Sequence, residues 1–143
     1  MLDQTNLSVM LKNKNLLKNK AYINGAWVDA KSGKTFEVVN PSNGNLIVTV
    51  PDLDVKDARI AIDAAYEAFP NWSKKTAKER SIILNKFCKL MLENADDLAA
   101  ILTAEMGKPL AEAKGEITYG ASFIEWFAEE GKRVYGETIP GHQ

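Results

Sequence analysis

Side chains capable of covalent chemistry are few in this sequence of 143 residues. Its one cysteine, Cys88, falls among Ile83, Phe87 and Met91 in a helical pattern, without a flanking base. This setting favours a buried structural thiol over a nucleophile. A single cysteine also excludes an internal disulfide framework and a multi-cysteine metal site. The one histidine, His142, has no neighbour in sequence that would complete a site. We therefore predict no catalytic residue within the chain.

The sequence motifs expected for a nucleotide-binding site or a metal site are also weak or missing in this sequence. A Rossmann turn needs closely spaced glycines after a strand, so that the backbone can approach a pyrophosphate. The nine glycines are scattered, and Gly115 and Gly120 lie inside a helical pattern, where close helix packing is the ordinary interpretation. Glu129 and Glu130 are adjacent on a helix and point about 100° apart, which indicates a solvated face rather than a metal site.

Composition places the chain among soluble globular proteins, with 45% hydrophobic and 26% charged residues. The formal net charge of −1 provides no overall attraction to nucleic acid or to an anionic membrane. No stretch approaches the roughly 20 apolar residues of a membrane span. We expect a cytoplasmic protein without a nucleic-acid or membrane partner.

Residues 1–20 form a leader with four lysines among Leu and Val. An organelle-targeting helix is one interpretation, but the leader has no Arg, carries Asp3 and is rich in Asn. A leader that is poorly ordered or loosely docked is therefore favoured.

The elements after the leader begin as short strands. Asn24-Gly25 suits a type I′ hairpin turn, because both central positions of that turn need a positive φ. A second turn at residues 31–34 leads to a predicted strand over Thr35–Val39. A turn cluster at residues 40–44 precedes an apolar strand over Leu46–Val50, which Pro51 closes.

Helical periodicity follows from Asp54, a plausible N-cap, and we expect Pro70 to end the first helix. Thr76 and Glu79 have the spacing of a capping box for the second helix. Asn94 with Asp97 predicts a break and a new cap. The apolar stripe of the first helix comprises Val55, Ala58, Ile62, Ala65 and Phe69.

Gly107 and Pro109 predict a stop, after which a last helix extends from about Leu110 to about Val134. For the chain alone, the pattern therefore predicts an α+β fold, in which a hairpin and short amino-terminal strands are followed by three or four helices. The last helix is apolar over much of its circumference, and the other elements offer little to cover it. The fold of this segment thus looks incomplete.

Several segments carry a resemblance to a known family. Residues 122–130, Ser-Phe-Ile-Glu-Trp-Phe-Ala-Glu-Glu, and residues 132–140 resemble a major helix of aldehyde dehydrogenases of the succinate-semialdehyde branch. Residues 105–113, beginning Glu-Met-Gly-Lys-Pro, resemble a helix junction of the family, and residues 22–27 its opening hairpin. The likeness spans about residues 20–143.

The resemblance implies an α/β family fold with a Rossmann-type cofactor domain, of which residues 21–143 are the incomplete amino-terminal part. Family members are homo-oligomers that oxidise small-molecule aldehydes with NAD or NADP, using a cysteine nucleophile and a glutamate base. By the family pattern that machinery lies after Gln143. We therefore expect this chain alone to bind no cofactor and to be inactive.

Few site residues follow from the resemblance. Tyr119 and Phe123, four residues apart and so on one helix face, are candidates for lining the substrate tunnel, with Trp126 as a weaker third. Ordinary packing against a missing domain is the alternative. Val38 and Glu105 resemble positions that hold a monovalent cation in some relatives, through a backbone carbonyl and a carboxylate.

Two functions remain open at this stage. The first is the amino-terminal portion of an NAD(P)-dependent succinate-semialdehyde dehydrogenase, itself not catalytic. The alternative is a non-catalytic helical binding or assembly module derived from the same family, because large uncovered apolar surfaces usually mark interfaces. Self-association of the fragment is open under either hypothesis.

Overall fold

The computed structural model describes residues 4–142, with side chains from Leu7 onward, and from residue 21 on its elements follow the predicted α+β order. The helices before the strands are α1 (Gln4–Met10) and a 3₁₀ turn (Lys14–Leu16), and the strands are β1 (Ala21–Ile23), β2 (Ala26–Val28), β3 (Thr35–Val39) and β4 (Leu46–Pro51). The later helices are α2 (Val55–Ser73), α3 (Ala77–Glu93), α4 (Ala95–Met106) and α5 (Leu110–Glu130).

The strands form two separate antiparallel pairs, β1 with β2 and β3 with β4. In the first pair Asn24 and Gly25 have φ of 48° and 79°, so both turn positions are left-handed, as predicted. The Tyr22 and Trp27 rings pair across this hairpin at 5.1 Å. The second pair runs one residue further than predicted, since Pro51 pairs with Thr35. Proline is tolerated there because each strand of a two-stranded sheet has a free edge.

Helix α2 starts at a reciprocal cap between Asp54 and Asp57. Asp54 accepts hydrogen bonds from the Lys56 and Asp57 amides at 2.7 and 3.3 Å, and the Asp57 carboxylate accepts from the Asp54 amide at 3.2 Å. Buried Asp57 also accepts from the Lys31 amide at 3.2 Å, which ties the turn after β2 to the helix.

The predicted end of α2 at Pro70 is wrong, because the helix continues to Ser73. A proline removes the bond that its own amide would have made and its ring crowds the carbonyl four residues earlier, but near the end of a helix few further hydrogen bonds remain to be disrupted. The Ser73 hydroxyl donates to the Pro70 carbonyl at 3.2 Å, which helps to hold that turn.

The capping box that starts α3 is confirmed. The Glu79 carboxylate accepts from the Thr76 hydroxyl and from the Thr76 amide, each at 2.8 Å, and these two bonds, the hydroxyl's first, lower the pKa of Glu79. The break at Asn94 is also confirmed, and Asn94 is the N-cap residue of α4 as predicted. Its side chain makes no capping hydrogen bond, because the side-chain nitrogen Nδ2 donates to the Leu90 carbonyl at the end of α3 instead. Asp97 accepts from the backbone amides of Lys12 and Asn13, more than 80 residues away.

The junction between α4 and α5 forms at Gly107, whose φ of 80° matches the predicted stop. A Cβ at this position would lie 3.0 Å from the Pro41 side chain, so the turn after β3 packs directly against the junction.

Helix α5 ends at Glu130, four residues before the predicted end at Val134. Tighter turns follow, in which the Lys132 and Arg133 amides donate to the Glu129 and Glu130 carbonyls. Two carboxylates at the negative end of the helix dipole and a flexible Gly131 disfavour another turn. Val134 is exposed, so packing does not compensate.

The principal core lies between the leader, the β3–β4 strand pair and α4. It comprises Leu7, Leu11, Ile47, Val48 and Ala104. The leader, expected from the sequence to be poorly ordered or loosely docked, thus contributes two fully or almost fully buried leucines to this cluster. A second packed region lies where α5 contacts α3 and α4. No described helix combines the length and the apolar character that crossing a bilayer demands.

Candidate functional site

Helix α5 has two different apolar sides. Ala113, Ala121 and Ala128 are buried where α5 packs on α3 and α4. The large aromatic side chains lie on another side and are exposed: Tyr119 by 65%, Phe123 by 47%, Trp126 by 62% and Phe127 by 61%. Small residues allow the helices to approach closely, and the bulky residues lie outside this helix packing and stay partly exposed.

The aromatic side of α5 forms an open groove of about 660 Å³. The Tyr119 and Phe123 rings meet edge to face, with centroids 4.8 Å apart and planes at 86°, a favoured aromatic geometry. The groove thus brings together the three residues predicted for a substrate tunnel, Tyr119, Phe123 and Trp126. Every residue lining it comes from α5 or from Arg133 just beyond, so the described chain supplies one wall.

Charged residues border the carboxyl end of this groove. Lys132 pairs with Glu129 at 2.6 Å, and Arg133 pairs with Glu130. Glu129 also accepts from the Asn85 side chain of α3 at 3.4 Å. The hydrogen bond from Lys132 and then that from Asn85 lower the pKa of Glu129, so this carboxylate is held ionised and is poorly suited to act as a base near neutral pH.

Phe127 and Arg133 are two of the groove residues that reasoning from the sequence did not name as site residues. Phe127 follows Phe123 by four residues, and that spacing alone could have placed it in the groove. Arg133 lies beyond the end of α5, and its position depends on the tight turn at residues 129–133. No local pattern would have indicated it.

The candidate cation site at Val38 and Glu105 remains a prediction. Val38 packs against the core cluster that contains Ala104, the neighbour of Glu105 in sequence. Glu105 is exposed as a residue, yet partial burial of its carboxyl group raises its pKa. Among residues 4–142, no three His, Cys, Asp or Glu side chains are grouped as a metal site.

Cys88 is buried on α3, as expected for a structural thiol. The described residues also do not fit a dinucleotide. Both sheets are antiparallel pairs, and the connection from β4 to α2, residues 52–54, contains no glycine that would let the backbone approach a pyrophosphate.

Comparison with known proteins gives consistent matches. The chain is 58% identical over 135 residues to a glutarate-semialdehyde dehydrogenase of Pseudomonas putida, with 94% of this chain and 28% of that protein covered. It is 57% identical over 133 residues to the NADP(+) succinate-semialdehyde dehydrogenase of Escherichia coli K12, with 93% and 28% covered. The chain thus spans little more than a quarter of the length of these curated relatives.

A solved structure agrees with the sequence matches. The crystal structure of an aldehyde dehydrogenase from Brucella melitensis biovar abortus 2308 superimposes with a TM-score of 0.92 at 56% identity, covering 94% of this chain and 28% of that one. A sequence model described as the aldehyde dehydrogenase family matches residues 27–143. With a family match over most of its length and relatives well above half identical, this chain belongs to the aldehyde dehydrogenase family.

Proposed function

We propose that this chain is the amino-terminal portion of an NAD(P)-dependent dehydrogenase that oxidises succinate semialdehyde to succinate, or acts on the closely similar glutarate semialdehyde. The observation that carries the proposal is the identity of more than half to two relatives named for these substrates. Both names denote an aldehyde with a carboxylate at its other end. By this proposal, the residues that determine specificity for one of these two substrates over the other lie outside the present chain.

The role proposed for the chain is to supply one wall of the substrate tunnel. The groove on α5 supports this role because its centre is aromatic and it is open on the other side. Tyr119 and Phe123 would contact the aliphatic part of the substrate, and apolar contact of this kind mainly affects binding rather than the chemical step. Trp126 would extend the same wall.

We further propose that the isolated chain is not catalytic. Cys88 is buried on α3, and the carboxylates beside the groove are paired with Lys132 and Arg133. Neither group is arranged as a nucleophile with its base. For the whole enzyme, the use of NAD or NADP as cofactor and a cytoplasmic location stay predictions.

A chimera tests this proposed function directly. Residues 1–143 would replace the matching segment of the Escherichia coli relative in one continuous polypeptide, and NADP reduction with succinate semialdehyde would be followed spectroscopically. We expect an active chimera. Tyr119→Ala and Phe123→Ala should raise its KM severalfold with little change in kcat, whereas Thr118→Ala on the same helix should leave both parameters unchanged.

The isolated chain provides the second arm of the test, since it should show no reduction of NAD or NADP with the same aldehyde. Activity of the isolated chain would contradict its proposed role as one part of a larger site. An inactive but folded chimera would contradict the proposed enzyme.

A second function, a non-catalytic binding or assembly module, has one observation in its favour: the large apolar surface left exposed on α5 and α2. A module that functions alone should be a monomer with cooperative unfolding when free. Size-exclusion chromatography and urea unfolding of the isolated chain would distinguish it, because a portion of a larger fold should instead aggregate or unfold over a broad range.

A further inference from the structure

The side of α5 that packs on its neighbouring helices is lined by small residues. Ala121 and Ala128 are almost completely buried, and a Cβ at Gly120 would lie 3.8 Å from the Met91 side chain of α3. Apolar contact is non-directional, so it brings the helices close together without selecting one rotation of α5 about its axis. A directional hydrogen bond can fix that rotation, and with it the direction in which the groove residues point.

Asn85 of α3 makes such a hydrogen bond at the carboxyl end of α5. Its side-chain nitrogen Nδ2 donates to Glu129 Oε1 at 3.4 Å and to the Ser81 hydroxyl, one turn earlier on α3, at 3.2 Å. Ser81 is buried, and Asn85 and Glu129 are half-buried. The Asn85 side chain is thus held by its own helix while it reaches across to α5.

The other oxygen of the same carboxylate extends this contact toward the groove. Glu129 Oε2 pairs with Lys132 Nζ at 2.6 Å, within the tight turn that also carries Arg133. Glu129 and Arg133 both line the groove. Each oxygen of Glu129 therefore has its own partner, and the pKa of this carboxyl group is lowered by the hydrogen bond from Lys132 and then by that from Asn85. An ionised carboxylate held at both oxygens is a fixed point between α3 and the end of α5.

We propose that Asn85 is a positioning residue for the groove. Acting through Glu129, it fixes the rotation of the carboxyl-terminal half of α5 and the turn that carries Arg133. Asn85 itself does not line the groove, so its loss changes how well the aldehyde binds and leaves the chemical step unaffected, which appears as a change in KM alone. This inference deepens the proposed function and rests on it.

Variants of the chimera described above test the role of Asn85. Asn85→Asp replaces the donor by a carboxylate that faces Glu129. We expect the KM for succinate semialdehyde to rise about tenfold with kcat nearly unchanged, which is the effect of losing one weak hydrogen bond to a charged group. Thr118→Asp is the matched control, because it adds the same charge to an exposed position of α5 that does not line the groove, and it should leave both parameters unchanged.

A reversed pair separates positioning from general damage to the helix packing. In the double variant Asn85→Asp with Glu129→Gln, the carboxylate lies on α3 and the amide donor on α5, so the hydrogen bond can form again in the opposite direction. We expect its KM to return most of the way to that of the parent chimera. If Asn85→Asp does not fold, as judged by circular dichroism, Asn85→Ser removes the donor without adding charge and should still raise KM.

An unchanged KM in the folded Asn85→Asp or Asn85→Ser variant would overturn the proposal. A rise in KM that the reversed pair fails to lower would do the same, as would a fall in kcat as large as the rise in KM. The parent chimera reports on the proposed function separately. An inactive, folded parent would refute the proposed enzyme and this inference with it, whereas an active parent whose KM is insensitive to Asn85 would refute this inference alone.

Discussion

The attachment of the leader provides the sharpest test of the structure. The Asp97 carboxylate is buried and accepts hydrogen bonds from the Lys12 amide at 3.1 Å and the Asn13 amide at 2.7 Å. Directly before these residues, Leu7 and Leu11 enter the core cluster. We predict that Asp97→Ala releases residues 4–17 from α4.

The free energy by which Asp97 holds the leader can be worked out from its two hydrogen bonds. A hydrogen bond to a charged group contributes about 1.5–3 kcal/mol, and two such bonds give about 3–6 kcal/mol. Lys12 and Asn13 are exposed, so water replaces part of this loss when the carboxylate is removed. We expect about 2–4 kcal/mol, which corresponds to amide exchange of the leader roughly 30-fold to 1,000-fold faster.

Hydrogen exchange read by mass spectrometry on a peptide covering residues 4–17 is the assay. Because it reports the leader alone, it does not require that the rest of the chain unfold cooperatively. Asp96→Ala is the matched control, since Asp96 is also in the first turn of α4 but makes only exposed ion pairs with Lys12 and Lys114. Such pairs contribute little, so this variant should exchange almost as the parent chain does.

The reasoning would be refuted if both variants accelerated exchange equally, or if neither did. Equal acceleration would mean that general charge near the start of α4 holds the leader. No acceleration in either would mean that the contacts of Leu7 and Leu11 are sufficient without the carboxylate.

Three further predictions concern stability. Gly107→Ala should destabilise the junction between α4 and α5 by about 1–3 kcal/mol, seen as faster hydrogen exchange in a peptide that spans it, because the change strains a φ of 80° and places a Cβ 3.0 Å from Pro41. Gly115→Ala, with open space around its Cβ, should leave exchange of its own helix unchanged or slower. Thr76→Ala should lower the stability of helix α3 by about 1 kcal/mol, because it removes the capping hydroxyl and leaves the first helical residue, Ala77, unchanged. A neutral or stabilising effect would contradict the capping box. Because the pKa of Glu79 is lowered, its stabilisation is complete above the ordinary glutamate pKa and is lost as pH falls through the lowered value; helicity followed by circular dichroism should show this acid loss in the parent chain and less of it in Thr76→Ala.

Features set by near neighbours were predictable from the sequence. The Asn24-Gly25 turn, the Thr76–Glu79 cap and the Gly107 stop each depend on contacts or dihedral angles within about four residues. The same holds for the edge-to-face pair of Tyr119 and Phe123, which one helical turn brings together. The sequence spacing therefore predicted that Tyr119 and Phe123 share one face of α5, and their ring contact confirms that shared face.

Features that depend on distant contacts were not predictable in this way. The backbone amide of Asn13 that donates to Asp97 lies more than 80 residues away in sequence. The end of α5 depends on whether Val134 is packed against another element, and in the structure Val134 is exposed. The sequence by itself determined where turns and helices start, because short-range sterics and capping bonds act within a few residues. Only the tertiary structure decided which apolar face of α5 is covered, because burial depends on which surfaces meet, and small residues allow a closer approach than large ones.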